Sequence, residues 1–466
     1  AGNTTEEETV KNLVLLVFLV NNKQKKYLYL FVSLRTPMLA VMDVSMLKTI
    51  LVKECFSLFP NRRNLRLNGD LYDIVSLSED DNWRRIRNIL TPAFTTGRIK
   101  EMFEIMKQHS RKLTDSLRPK AHNEEVINVK DFLGAYSLDA MASCAYSIDT
   151  DTIKDPSHPF INHAKKLLRI SIPLFLIQGM PMLILSCVAY FKSVLEKVRA
   201  ERRGGSHQVR ENTCTHTHTH THTHTHTHIH MHMDFLQLMM NSQQEKQNKG
   251  LSDHEIMSQA IIFVAAGFDT SGTTLAFLAY NLAKNPEVMR RLQEEIDTTF
   301  PSKAPVQYEG LVNMEYLDSV VSESLRLYPP IARIERVAKA TVEINGITVP
   351  KDMIVTVPVY ALHRDPDLWP DPEEFKPDRF SKENKQSINP YAYLPFGIGP
   401  RNCIGMRFAL VMVKLALVEV LQNYSFSICK ETEIPLEMDP TGLLGPLRPI
   451  KLKLVARSIA SANVDN

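Results

Sequence analysis

Cys403 stands in the run Phe396-Gly397-Ile398-Gly399-Pro400-Arg401-Asn402-Cys403-Ile404-Gly405, directly before a helical pattern from Ile404 to Gln422. The free N–H groups and partial positive charge at a helix start favour a thiolate, and Arg401 adds a cation two residues earlier. Gly397, Gly399 and Gly405 remove side chains, so a flat object could approach the backbone, and Phe396 could cover the sulfur. A thiolate in a glycine-lined loop is what a haem iron needs as an axial ligand. A loose C-x-G pattern would mean only a buried cysteine beside a helix cap. Phe, Gly, Arg, Cys and Gly together in register favour the ligand.

Three further constellations could serve chemistry. Ala266-Gly267-Phe268-Asp269-Thr270-Ser271-Gly272-Thr273-Thr274 places poor helix formers in the middle of a long helical pattern, which calls for a local reason. A threonine hydroxyl can bond back to the i−4 carbonyl and bend the helix, opening a groove for a diatomic ligand and water. Glu323 and Arg326 lie three apart on one helical face, in ion-pair reach. Trp83 and Arg87 lie four apart, and an arginine there could pair with carboxylates. By spacing alone the last two patterns are weak.

The elements that must position these residues are mostly helical. The chain has 466 residues, 44% hydrophobic and 23% charged, which excludes a disordered tail, a collagen-like fibre and a small disulfide scaffold. A net charge of +3 makes no case for nucleic acid. Only 17 residues are glycine, against turn-dense β-sandwiches. Six scattered cysteines leave no zinc or CxxC spacing and suit a reducing compartment. Residues 37–80 read as strands and short helices, and 83–147 as helices broken at Pro92 and Pro119. Ser252-Asp253-His254-Glu255 is a capping box opening a helix that runs to Asn285-Pro286. Helices follow at 286–299 and 314–327. Strands lie between 333 and 358, with a hairpin at Asn345-Gly346. Residues 364–402 are mostly loop.

Three segments stand apart. Leu13–Val20 is apolar but too short to span a bilayer, and reads as a buried strand or a fragment of something longer. Ile170–Phe191 carries no charge but contains Pro173 and Pro181. It reads as a broken pair of helices dipping into a membrane surface in preference to a true span, or as an ordinary buried segment. Lys165, Lys166, Arg169, Lys192 and Lys197 on its flanks suit anionic headgroups. Thr215–His232 alternates Thr and His and holds nine of the 16 histidines. It reads as a simple repeat in a disordered surface loop whose metal affinity is incidental.

The chain resembles the haem-thiolate monooxygenases, the cytochromes P450, whose haem loop reads F-x-x-G-x-R-x-C-x-G; Phe396, Gly399, Arg401, Cys403 and Gly405 fill every fixed position. LDSVVSESLRLYP, YALHRDP, FGIGPRNCIGMRFAL and CKETEIPL look like the vertebrate microsomal 3A subfamily, which oxidises drugs and steroids. The resemblance spans about Pro37 to Arg457, outside roughly 203–233. It implies a mainly α fold with small β-sheets. One haem b would lie between the long central helix and the Cys-loop helix, with Cys403 on its iron. One monooxygenase domain would cover 37–466, with 203–233 a low-complexity insertion. The usual anchor helix and Pro-rich hinge are missing or replaced by residues 1–36.

The resemblance also implies site roles. Asp269 and Thr270 would be the acid–alcohol pair that delivers protons. Ala266 and Gly267 would border the haem, and Arg62, Trp83, Arg87, Arg336 and Arg401 would match propionate-binding positions. Ser76, Leu77, Ile262, Ala265, Ala266, Thr270, Ile331, Ala332 and Leu443 would line the lipophilic pocket, with Ala265 where relatives usually carry Phe. Glu323, Arg326 and Arg379 would form a structural network. Arg84, Arg85 and Arg407 would lie on a proximal face suited to an acidic reductase, although a solvated basic face fits them equally. Electrons would come from NADPH through a separate reductase, since the chain shows no Rossmann fingerprint, with cytochrome b5 admitted as a second partner. The endoplasmic reticulum membrane, cytosolic face, is the implied location. A haem-thiolate isomerase or sensor is the first rival, and the Asp269-Thr270 pair argues against it; the second is a non-enzyme, an aberrant product that folds poorly and binds no haem.

Overall fold

Ser252 accepts a hydrogen bond from the N–H of Glu255, whose carboxylate accepts from the N–H of Ser252, so the capping box forms as the sequence predicts. From it runs the central helix, Asp253–Lys284, 32 residues ended at Asn285-Pro286, about 48 Å long. Its residues are buried almost throughout. Apolar side chains on all sides mean a helix wrapped by other helices. Among the described residues it is the one helix long and apolar enough to cross a membrane, yet most of that stretch is buried in the core.

The computed structural model describes residues 36–64, 71–168, 180–204, 234–243, 250–439 and 443–457, with the strands Phe18–Leu19 and Leu28–Ser33 as backbone. Around the central helix pack Val129–Tyr146, Pro159–Leu168, Met180–Gly204, Phe235–Ser242, Pro286–Thr299, Glu315–Leu327 and Met406–Asn423, and Thr96–His122 lies outside them against Met406–Asn423 and Val129–Tyr146. Backbone comes close to backbone at Gly272, where a Cβ would come within 2.8 Å of the Gly134 Cα. These glycines therefore let the Val129–Tyr146 helix lie against the central one. A five-stranded sheet runs Phe18–Leu19, Leu28–Ser33, Thr36–Val41, Ile354–Val357, Ile334–Val337, antiparallel except between Thr36–Val41 and Ile354–Val357. Ile127–Asn128, Lys451–Ala456 and Tyr424–Ser427 make a second sheet. The predicted hairpin joins Val342–Ile344 to Ile347–Val349, with positive φ at both Asn345 and Gly346, as a type I′ turn requires.

Two boundaries differ from expectation. Pro119 sits inside the Thr96–His122 helix, in its last turn, where the chain continues to Asn123 without a break. The Cys-loop helix begins at Met406, with Gly405 as its N-cap, so Cys403 precedes it by a short turn. Of Leu13–Val20, only Phe18–Leu19 is described, paired with Tyr29 and Leu30. Of Ile170–Phe191, residues 169–179 lie outside the described residues. The remainder opens one continuous helix, Met180–Gly204, with Cys187, Val188 and Phe191 buried.

The Thr-His tract also lies outside the described residues, but Arg202 and Asp234 on either side of it do not. Arg202 donates to both carboxylate oxygens of Asp234, at 2.8 and 2.6 Å, and to the Tyr146 carbonyl. Asp234 also accepts from the Ser147 hydroxyl and caps Phe235–Ser242 through the Gln237 N–H. This nearly buried pair brings residues 202 and 234 together whatever lies between. Replacing 207–232 with a short Gly-Ser linker is therefore expected to preserve haem incorporation. Arg202→Met in the shortened chain should cost about 3 kcal/mol, because it strands a buried carboxylate. Thermal midpoints followed by haem absorbance check both outcomes.

Candidate functional site

The Cys403 loop is a tight hairpin. The Gly397 N–H donates to Leu394 O, Asn402 N–H to Gly399 O, and Cys403 N–H to Phe396 O. Gly397 and Gly399 have φ of +68° and +77°. At Gly399 a Cβ would also lie 2.1 Å from the Leu51 carbonyl, so no other residue fits there. The Cys403 side chain is open to solvent on one side, but protein packs closely round the rest, and this burial pushes its pKa up. Opposing it, the Gly405 N–H bonds to the sulfur, and the Arg87 and Arg62 cations lie near. The thiolate is thus partly prepared, and a metal cation would complete its stabilisation.

Beside this loop three guanidinium groups cluster. Arg401 donates to Pro60 O, Asn61 Oδ1 and Ser78 O at 2.6, 3.1 and 2.9 Å, and lies 4.2 Å above the Trp83 ring. Arg62 donates to Arg401 O, and Arg336 to Glu335 O. Arg62 Nε, Arg336 Nε and Arg401 Nη1 are buried with no partner among the described residues. Burial, then repulsion by neighbouring arginines, pulls Arg401 down to about 9 and Arg336 to about 10. Glu335 and Asp80 lie near enough to act on Arg62 and Arg401, yet these three buried donors still lack an acceptor among the described residues. Haem b, with two propionates, supplies two carboxylates for the orphaned donors and an iron for the sulfur, so the residues present fit it.

On the mostly buried central helix, Ile262, Ala266 and Thr270 form an accessible stripe, with Gly267 and Asp269 also half-buried beside it, and Ala266 is the most exposed of them. The spacing puts them on one face. The Thr270 hydroxyl donates to Ala266 O at 2.6 Å, the expected back-bond. Ala265, by contrast, is 1% exposed and packs into the core, one helical step away from the stripe. Gly267 faces the Val129–Tyr146 helix, where a Cβ would lie 2.0 Å from the Met141 side chain. Asp269 turns from Thr270 and pairs with Lys130 at 2.7 Å. Adjacent helix residues diverge by about 100°, so the expected acid and alcohol address different neighbours.

The other expected residues divide similarly. Ser76 and Leu77 are half-buried on the loop before Asp80–Leu90. Ile331 is exposed, Ala332 and Leu443 are half-buried, and a bond from Leu444 N–H to Pro330 O brings these two segments together. Trp83 is buried under Arg401. Arg87 donates to Asn402 O and Oδ1 at 2.9 and 3.0 Å, bracing the Cys loop. Of the basic face, Arg84 and Arg407 are exposed, but Arg85 is tied to Glu255 and Gly250 O at the start of the central helix.

Glu323 and Arg326 pair bidentately with both side chains 0% exposed, and Arg379 joins at 3.3 Å. Arg326 also donates to the carbonyls of His363, Pro372 and Glu374. Sequence reasoning missed His363. Its Nδ1–H donates to Arg326 O, and its Nε2 accepts from the Leu394 N–H at 2.8 Å, which links this network to the first turn of the Cys loop. The only signal was its place in YALHRDP. Lys130 and Asn61 gave none.

A family model described as Cytochrome P450 matches residues 8–454. Cytochrome P450 3A40 of Oryzias latipes is 54% identical over 447 residues, 92% of this chain and 85% of that protein. Cytochrome P450 3A27 of Oncorhynchus mykiss is 53% identical over 451 residues, 92% and 83% of the two chains. Cytochrome P450 3A29 of Sus scrofa is 46% identical over 441 residues, 91% and 83%.

Two outcomes follow from the geometry. Arg336→Leu and Arg401→Leu should each weaken haem retention about tenfold or more, since hydrogen bonds to charged groups contribute about 1.5–3 kcal/mol; haem transfer to apomyoglobin measures this. Burial holds His363 at about 3, against 6.5 for a free imidazole. The stability this neutral ring supports is intact above pH 6.5 and is lost as pH falls toward 3, by about 1.4 kcal/mol per pH unit. His363→Gln keeps a donor and an acceptor without titrating, and should flatten the acid limb of thermal midpoint against pH by up to one proton.

Proposed function

The chain belongs to the cytochrome P450 family, whose cofactor is haem b held by a cysteine thiolate, and on that premise we propose that it inserts one oxygen atom from dioxygen into lipophilic substrates, steroids and xenobiotics among them. The observation that carries this reading is the buried arginine cluster with orphaned donors beside the Cys403 thiol. The balanced reaction takes substrate, dioxygen, NADPH and a proton to hydroxylated substrate, water and NADP⁺. Haem, when bound, supplies the dioxygen chemistry.

The chain's residues supply the rest. Cys403 would hold the haem iron through its sulfur, and its anionic form is favoured by the Gly405 N–H, Arg87 and Arg62. Arg62, Arg336 and Arg401 hold the propionates, and Trp83 keeps Arg401 in place by stacking. Thr270 holds a hydroxyl proton on the accessible stripe. Asp269, kept by Lys130, is the nearby carboxylate through which protons enter from solvent. Ile262, Ala266, Ile331, Ala332, Leu443, Ser76 and Leu77 offer a largely apolar surface to substrate. Electrons arrive from NADPH-cytochrome reductase, with cytochrome b5 as a second donor, at a face that includes Arg84 and Arg407. One haem domain over 37–466 works at the cytosolic face of the endoplasmic reticulum membrane.

Thr270→Ala should leave haem content normal and raise the hydrogen peroxide released per NADPH oxidised. Proton positioning by a side chain contributes about 10²–10⁴-fold, and water offsets part of its loss. Asp269→Asn should slow turnover in the same assay. Unchanged coupling and rate in both variants would defeat the proton-delivery role.

A further inference from the structure

Gln259 lies on the central helix with its side chain 0% exposed. A buried primary amide needs both a donor and an acceptor among its neighbours. It finds both on the loop that carries Ser76 and Leu77. Its Oε1 accepts from the Val75 N–H at 2.7 Å, and its Nε2 donates to Asp73 O at 2.7 Å. His254, just over one turn before Gln259, holds the Asp73 carboxylate at 3.2 Å. Buried Leu71 and Ile74 peg the loop from inside.

The loop's other end is fixed from the haem side. Ser78 O accepts from Arg401 Nη2 at 2.9 Å, and the Ser78 hydroxyl folds back on Asp73 O and Ile74 O. Ser76 and Leu77 therefore stand half-buried between two clamps. Gln259, Ile262, Ala266 and Thr270 fall at i, i+3, i+7 and i+11, on one helical face. Gln259 thus holds the loop at the N-terminal end of the accessible stripe, about 10 Å along the axis from Ala266.

We propose that Gln259 is a positioning residue for selectivity: it sets where Ser76 and Leu77 stand relative to the Ile262–Ala266–Thr270 stripe, and so which carbon of a bound substrate lies nearest the reacting centre. The inference rests on the monooxygenase reading. The amide is specific to the task. Glutamate can still accept from Val75 but sets a carboxylate against Asp73 O. Methionine fills the space and does neither. A shift of about 1 Å in a positioning element is enough to redirect a reaction.

The test uses the full chain with haem and NADPH-cytochrome reductase, and testosterone as a substrate with several oxidisable carbons. Wild type, Gln259→Met and Gln259→Glu are compared by product ratio and by hydrogen exchange over residues 71–79. With haem content unchanged, Gln259→Met should shift the ratio of the two main products about threefold or more and speed exchange at the Val75 amide, with Gln259→Glu between it and wild type. Unchanged ratio and unchanged protection in Gln259→Met overturn the inference. If Gln259→Met does not fold, the same two measurements on Gln259→Glu decide, and wild-type values there overturn it. A wild-type chain that fails to bind haem overturns the monooxygenase reading instead.

Discussion

The guanidinium groups of Arg62, Arg336 and Arg401, packed close to one another beside the Cys403 loop and Cys55, are the constraint on which the rest of the structure depends. Arg62, Arg336 and Arg401 repel one another and have lost water. They are held together by carbonyls of 60, 78, 335 and 401, by the Asn61 amide and by the Trp83 ring. Those fixed acceptors come from four separate stretches of chain, so the fold must be assembled before the cluster exists. Such an arrangement raises the free energy of the protein alone and lowers it for the protein with an anionic partner, which links cofactor binding to stability.

The Glu323–Arg326–Arg379 network is the counterpart that makes the Cys loop rigid. A buried ion pair adds little net stability, but removing one partner costs about 3–5 kcal/mol. Here the pair also satisfies carbonyls of the long irregular stretch from 363 to 374, which has no sheet or helix to bond them. His363 passes that rigidity to Leu394, where the hairpin that presents Cys403 begins. Gly399 then lies against the Leu51 carbonyl, joining the loop to the short helical segment Thr49–Lys53. Sulfur position is thus fixed from both sides by backbone contacts.

Much of this was legible in local pattern. The capping box, the 32-residue helix, the Asn345-Gly346 turn and the loop character of 364–402 are set by neighbours in sequence, and so is the haem loop, whose glycines and cysteine lie within one short run. What the residues could not give is direction across the fold. Asp269 reads as Thr270's partner because the two are adjacent, yet helix geometry sends it to Lys130. Gly267 and Ala265 sit beside the accessible stripe in sequence and face packed neighbours instead. Arg85 resembles a surface cation until Glu255, far along the chain, is brought to it. Each of these orientations depends on a tertiary partner that no local spacing encodes.

The account's central claim is that Cys403 and the arginine cluster form one haem-thiolate site. Its most direct test is the carbon monoxide difference spectrum of the reduced protein, wild type against Cys403→His. The wild-type chain should give the red-shifted Soret band of a thiolate-ligated haem, and Cys403→His should lose that band while the arginine cluster still retains haem. A Cys403→His protein that kept the thiolate-type band, or a wild type that never showed it with haem bound, would contradict the account.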